Sequence, residues 1–376
     1  MIPRQLQEPA LRWMSERTMR YVAPAPGDDP LTRDILSQVR RDFFVGGPIT
    51  VHALNPALMA GMWTAGRETV LVAGALDRAA KEAIAAGVSQ SNRCPYCVDM
   101  HVSMTHAAGW HSVADAILRG AVDGASGERG RFAAWAMSSR DSTSAQVRQP
   151  PFTREALPEA IGTALFFHYI NRVVNVLFHN RPLLLPGMLE WTRKWLVRMF
   201  GVMLRESVSR PAEPGSSLSL LPAAILPPDL AWAESNPLVA KALARWCGVV
   251  ESAGASCLSE TARTAVRRAI SDWDGGDPPF GGWWIGDVLA KVGAAERPAA
   301  QLALLAALAS YRVPPDVVAQ VHSKHAGGEA VLAAVAWGSF TAARRIASWL
   351  AVAPLTPQGT WSESLDPDHG ELEKRR

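Results

Sequence analysis

The stretch SQSNRCPYCVDMHVSMTHAAG, Ser89–Gly109, decides how the chain folds. Asn92 is a suitable N-cap, Pro95 suits the first turn of a helix, and Gly109 sits where the helix needs a left-handed C-cap residue. The spacing predicts a helix whose opening turn carries Cys94 and Cys97. Two thiols so spaced can close a small disulfide with little backbone movement. The unpaired N–H groups and positive dipole end of that turn favour thiolate over thiol. His101 lies four residues beyond Cys97, one turn on and on the same face, within reach of a proton exchange with that sulfur.

Outward from this helix the pattern stays helical. Ala-rich stretches with apolar residues three and four apart recur from end to end, and alternating strand-like runs are nearly absent. Asn55-Pro56 and Asn236-Pro237 read as N-cap followed by N1 proline, and Ser112 with Asp115 reads as a capping box for a helix that stops at Gly120. The expectation is an all-α fold of roughly a dozen helices with no sheet of consequence. Prolines crowd the segment between Arg210 and Asp229, so residues 209–230 read as a connector between helical halves at 30–208 and 231–353; residues 354–376 read as a mobile polar tail.

The halves look like diverged copies of one unit. Asn55-Pro56 answers Asn236-Pro237, Leu76–Ser89 answers Leu258–Ser271, Glu128-Arg129 answers Glu296-Arg297, and Glu159 with Arg172 answers Glu329 with Arg344. Where the cysteine pair should recur, the second half offers DGGDPPFGGWW, without cysteine or histidine. Cys247 and Cys257 lie well upstream of that point and read as incidental thiols.

Composition narrows the function. With 48% hydrophobic and 19% charged residues in 376, the chain has ample material for a packed core, which excludes disorder over most of its length. A formal charge of +3, with no Lys/Arg stripe, argues against a nucleic-acid partner. Four cysteines do not make a disulfide scaffold. The first twenty residues are interrupted by charge, and the most apolar segments fall short of a membrane span or carry polar groups, so the expected compartment is the cytoplasm, where thiols stay reduced.

Other residues near the pair admit two readings. Glu82, on the preceding amphipathic helix, is either a solvated surface carboxylate, as periodicity alone favours, or a buried partner that orients His101. The cysteines could be packed thiols, a static disulfide, or zinc ligands with His101, although zinc needs a fourth ligand that no second CxxC or HxxxH supplies; His106 and His111 need not converge. His168, Arg172, Asn175 and His179 form a polar stripe on an apolar helix, either facing solvent or placing His168 and Arg172 at the rim of a thiol pocket. Most of the 14 tryptophans, among them Trp273, Trp283, Trp284, Trp337 and Trp349, read as core or subunit-contact residues.

Taken together, Glu82, eleven residues, then Cys94-x-x-Cys97-x-x-x-His101 within SxxNxCxYCxxxH resembles the AhpD-like alkylhydroperoxidases of the carboxymuconolactone decarboxylase superfamily. The similarity is specific over about Pro56 to Ala136 and weaker to about Phe178. It implies an all-α helical bundle that assembles as a homo-oligomer and needs no bound metal or organic cofactor. It further implies that Cys97 attacks a hydroperoxide, Cys94 resolves the sulfenic acid to a disulfide, and His101 with Glu82 relays the proton. This conflicts with the dipole, which alone would make Cys94 the more acidic thiol. A small redox protein or a lipoyl-type dithiol would be the reductant. Tyr96 stands where well-known members carry a histidine, and tyrosine is no base near neutral pH. The second half would then supply the packing surface that a neighbouring protomer gives single-unit relatives. The rival expectation is a non-catalytic binding or assembly protein whose CxxC is vestigial or a zinc clip; lactone decarboxylation, which uses no CxxC pair, ranks last.

Overall fold

The computed structural model describes residues 17–25, 27–122, 127–179, 190–324 and 327–352, so the expected tail at 354–376 lies outside the described residues. Among the described residues no strand forms, and the extended pairing is confined to one isolated bridge between Met19 and Phe178. The all-α expectation holds. The first half contains α1 (Pro30–Asp42), α2 (Pro56–Gly66), α3 (Arg78–Ser91), α4 (Pro95–Ala107), α5 (His111–Leu118), α6 (Gly127–Met137), α7 (Leu157–Leu177) and α8 (Glu190–Val208). The second half contains α9 (Pro237–Cys257), α10 (Glu260–Ser271), α11 (Trp283–Val288), α12 (Arg297–Ala309), α13 (Pro315–Lys324) and α14 (Glu329–Val352).

Local chemistry explains most of the boundaries. Asn55 accepts from the Leu58 N–H and Asn236 from those of Leu238 and Val239, each ahead of its N1 proline. Asp77 accepts from the Ala80 N–H, and Ser259 does the same for Ala262. Gly109 and Gly120 take left-handed φ values of 94° and 71°, which close α4 and α5 as expected. Two boundaries differ. Asn92 closes α3 rather than opening α4, whose N-cap is Cys94. The α5 helix begins at His111 behind Trp110, two residues early for a Ser112 capping box.

The helices that match in sequence also meet in space. α2 packs along α9, and α7 along α14. At the first contact Gly61 lets the backbones close, since a Cβ there would come within 3.1 Å of the Trp246 Cα. Around this seam lie large buried rings, with Trp246, Tyr169 and Phe340 in mutual edge or tilted contact. The connector is not a loose tether: Glu68, just past α2, accepts from the Gly215 N–H at 3.1 Å, and Thr64 donates to the Ser217 carbonyl at 3.2 Å. Of the tryptophans read as core or contact residues, Trp337 is wholly buried while Trp283 is exposed.

A second buried group fixes the approach to α3. Glu159 at the start of α7 accepts from the Ala75 and Leu76 N–H groups and pairs with Lys81 Nζ at 2.7 Å, both side chains being almost wholly buried. Removing the carboxylate strands the Lys81 ammonium in the interior. Glu159→Ala should therefore destabilise the protein by about 3–5 kcal/mol, read as a lower urea midpoint at pH 7. Asn55→Ala, which removes one cap, should cost only about 1 kcal/mol.

Candidate active site

The site begins at the reversal between α3 and α4. The Cys94 N–H returns to the Ser89 carbonyl at 3.0 Å and the Arg93 N–H to Gln90 at 3.1 Å, the paired bonds of a Schellman ending. Arg93 occupies the left-handed position of that motif at φ 52°. Cys94 is thus both the residue that completes the end of α3 and the N-cap of α4, and Val98 N–H bonds back to its carbonyl.

Cys94 and Cys97 are free thiols with sulfurs 2.8 Å apart, and their exposures are 1% and 4%. Burial pushes the Cys94 thiol well above its ordinary value, with the hydrogen bond to Cys97 adding to the shift. For Cys94 desolvation outweighs the helix dipole, which alone would favour its thiolate. Position separates the pair as well. Cys97 lines a cleft of about 100 Å³, and Cys94 is absent from its lining.

The same cleft is lined by Glu82, His101 and Tyr96. Glu82 is wholly buried, which settles against the solvated-surface reading. Its Oε1 accepts from Arg78 Nε and its Oε2 meets His101 Nδ1, both at 2.7 Å. Burial alone would raise this carboxyl, but the Arg78 charge and the His101 hydrogen bond outweigh it and hold Glu82 below the usual carboxylate range. An ionised carboxylate only accepts, so Nδ1 of His101 carries a proton, which in the neutral tautomer leaves the lone pair on Nε2. Phe167 meets the same ring edge-on at 4.4 Å. Nothing in the sequence singled out Arg78, though its place one turn before Glu82 was the available signal. The rest of the cleft wall is apolar, including Trp63, Met62, Phe166 and Ile170. Tyr96 is buried and lies 5.7 Å from the Phe178 ring.

His168 and Arg172 do not belong to this cleft, nor do they face solvent; of the predicted stripe only His179 is exposed. They form a buried network behind the cysteine turn. Arg172 donates to Asn92 Oδ1, the His168 carbonyl and the Ala307 carbonyl at 3.0, 2.6 and 2.9 Å. Asn175 donates to the Asn92 carbonyl at 3.0 Å, and His168 bonds Asn92 and Ser139. Burial, with the nearby Arg172 and Arg140 charges, keeps His168 neutral. Amphipathic spacing exposed the stripe in the sequence but could not reveal that its partner would be the polar end of α3 rather than water.

His106 and His111 do meet, with Nδ1 atoms 3.1 Å apart, and burial lowers His106 to a pKa of about 4. Among the described residues no group of three or more His, Cys, Asp or Glu side chains is arranged to hold a metal. No described helix is long and apolar enough to cross a membrane.

Comparison with known proteins places the chain among relatives. Residues 56–128 match the carboxymuconolactone decarboxylase family. An alkyl hydroperoxide reductase of Mycobacterium tuberculosis is 34% identical over 321 residues, which are 85% of this chain and 91% of that protein. The similarity therefore runs through both halves rather than the cysteine region alone.

The depressed Glu82 carboxyl carries a pH signature. Its stabilising contribution is fully present above the unfolded value near 4.5 and is lost as pH falls through the lower folded value. Glu82→Gln should lower the urea midpoint at pH 7, and the gap from wild type should shrink as the pH is taken below 4.5. A gap that stays constant down to pH 3 contradicts the assignment.

Proposed function

Because the chain belongs to the carboxymuconolactone decarboxylase family, among its AhpD-like members, we propose that it is a thiol-dependent oxidoreductase that reduces organic hydroperoxides with Cys97. The observation that carries this reading is the sharing of one apolar cleft by Cys97 and the Glu82–His101 pair, with the Cys94 sulfur 2.8 Å behind.

His101 Nε2 takes the Cys97 thiol proton, and Glu82 stabilises the imidazolium that results. The thiolate attacks the distal oxygen of ROOH; the O–O bond breaks, RO⁻ leaves, and His101 returns the proton to give ROH and a Cys97 sulfenic acid. The Cys94 thiol then attacks the Cys97 sulfur, the S–O bond breaks, and water leaves with the disulfide formed. An external dithiol, either a small redox protein or a lipoyl-type carrier, restores both thiols by exchange and is itself oxidised to a disulfide. Trp63, Met62, Phe166 and Ile170 suit the hydrocarbon part of ROOH better than they suit hydrogen peroxide. Tyr96 cannot serve as base at neutral pH, so His101 alone handles the proton. In the same reading the protein works in the cytoplasm as a homo-oligomer, and its second half supplies packing surface to the first.

The test is peroxide consumption with tert-butyl hydroperoxide and dithiothreitol, together with sulfenate trapping and zinc analysis. Cys97→Ser should abolish consumption, and His101→Asn should reduce it by about 10²–10⁴-fold. A sulfenate should accumulate only in Cys94→Ser. Undiminished turnover in both cysteine variants, or stoichiometric zinc in the purified protein, defeats the proposal and favours a binding or assembly role.

A further inference from the structure

The second half lacks cysteines where the redox turn should recur, yet that same segment, Asp274–Trp284, lies against the redox turn of the first half. Arg93 Nη2 bonds Asp277 Oδ2 at 2.6 Å, and its guanidinium lies 4.8 Å above the Tyr311 ring. Asp277 Oδ1 takes Arg140 Nη2 at 3.1 Å. Arg140 in turn donates to the carbonyls of Ser91 and Gly275 at 3.3 and 3.0 Å, tying the last turn of α3 to the same segment. Gly275, at φ 104°, is held so close beneath the Arg140 carbonyl that any Cβ would clash with it. The fit is therefore built into the backbone as well as the charges.

We propose that Asp277 is a positioning residue for the Cys94–Cys97 couple, acting through Arg93. Arg93 adopts a left-handed conformation that an L side chain other than glycine or asparagine rarely takes, and it immediately precedes Cys94. Whatever holds Arg93 there fixes where the Cys94 sulfur sits relative to Cys97, since disulfide closure depends steeply on that placement. An isolated exposed ion pair contributes little, but Asp277 gathers Arg93 and Arg140, with Arg312 at 3.7 Å, around one carboxylate. The segment that dropped the chemistry thus retains a hand in it from outside the cleft.

The proposal rests on the two cysteines forming a redox couple, but not on peroxide being their oxidant. It is tested on the full chain by equilibrating the thiols against a reduced and oxidised glutathione buffer and measuring the constant for Cys94–Cys97 disulfide formation. Asp277→Ala should lower that constant by about threefold to tenfold, and Asp277→Glu should recover at least half of the change on a logarithmic scale. Glycine holds the left-handed turn without help, so in an Arg93→Gly background the effect of Asp277→Ala should fall by half or more. No change in Asp277→Ala, no recovery with glutamate, or an effect reduced by less than half in the Arg93→Gly background overturns the proposal. A wild-type protein that forms no disulfide at any buffer ratio removes the redox reading itself, and this inference with it.

Discussion

The chain must reverse between α3 and α4 within three residues, Asn92 to Cys94, and nearly everything else at the site follows from how that reversal is built. A helix ending of this kind leaves carbonyls in need of donors and sets one residue in a left-handed conformation. Here the Asn92 carbonyl is met by Asn175, the Ser91 carbonyl by Arg140, and the left-handed residue is Arg93. The turn delivers Cys94 buried and Cys97 one turn later at the wall of the cleft. α3, pinned at its start by Asp77 and Glu159, brings Glu82 to the other side of His101.

The electrostatics divide into two compartments separated by that turn. On the cleft side, a wholly buried carboxylate is kept ionised by Arg78 and His101, and its charge fixes the tautomer of the imidazole. Behind the turn, Arg172 is buried among carbonyl and amide oxygens while His168 stays neutral. A guanidinium without a buried carboxylate is an expensive arrangement. Its several directional bonds to Asn92, α7 and Ala307 satisfy its donors and tie the turn to both helical halves.

Much of this was legible in the sequence. Proline after asparagine placed α2 and α9, glycine placed the ends of α4 and α5, and the spacing of Cys94, Cys97 and His101 put three reactive groups on one helix. These signals are local, and local chemistry decides them. The fate of Glu82 was not local: an Ala-rich helix carries no mark of which face α4 and the cleft will cover. Asn92 looked like an N-cap because it precedes a helix, yet it also follows one, and the Schellman pairing to Ser89 and Gln90 won. The stripe on α7 was visible as polar, but its burial depended on Asn92, Ser139 and Ala307, which lie far away in the chain.

The meeting of α2 with α9 and of α7 with α14 has a consequence for how the two surfaces can change over generations. When identical chains associate about a twofold axis, any substitution at the contact occurs on both sides at once, so only self-complementary solutions survive. Within one chain that coupling is absent: Gly61 of α2 faces Trp246 of α9, and either can be substituted without the same change being imposed on the opposite helix.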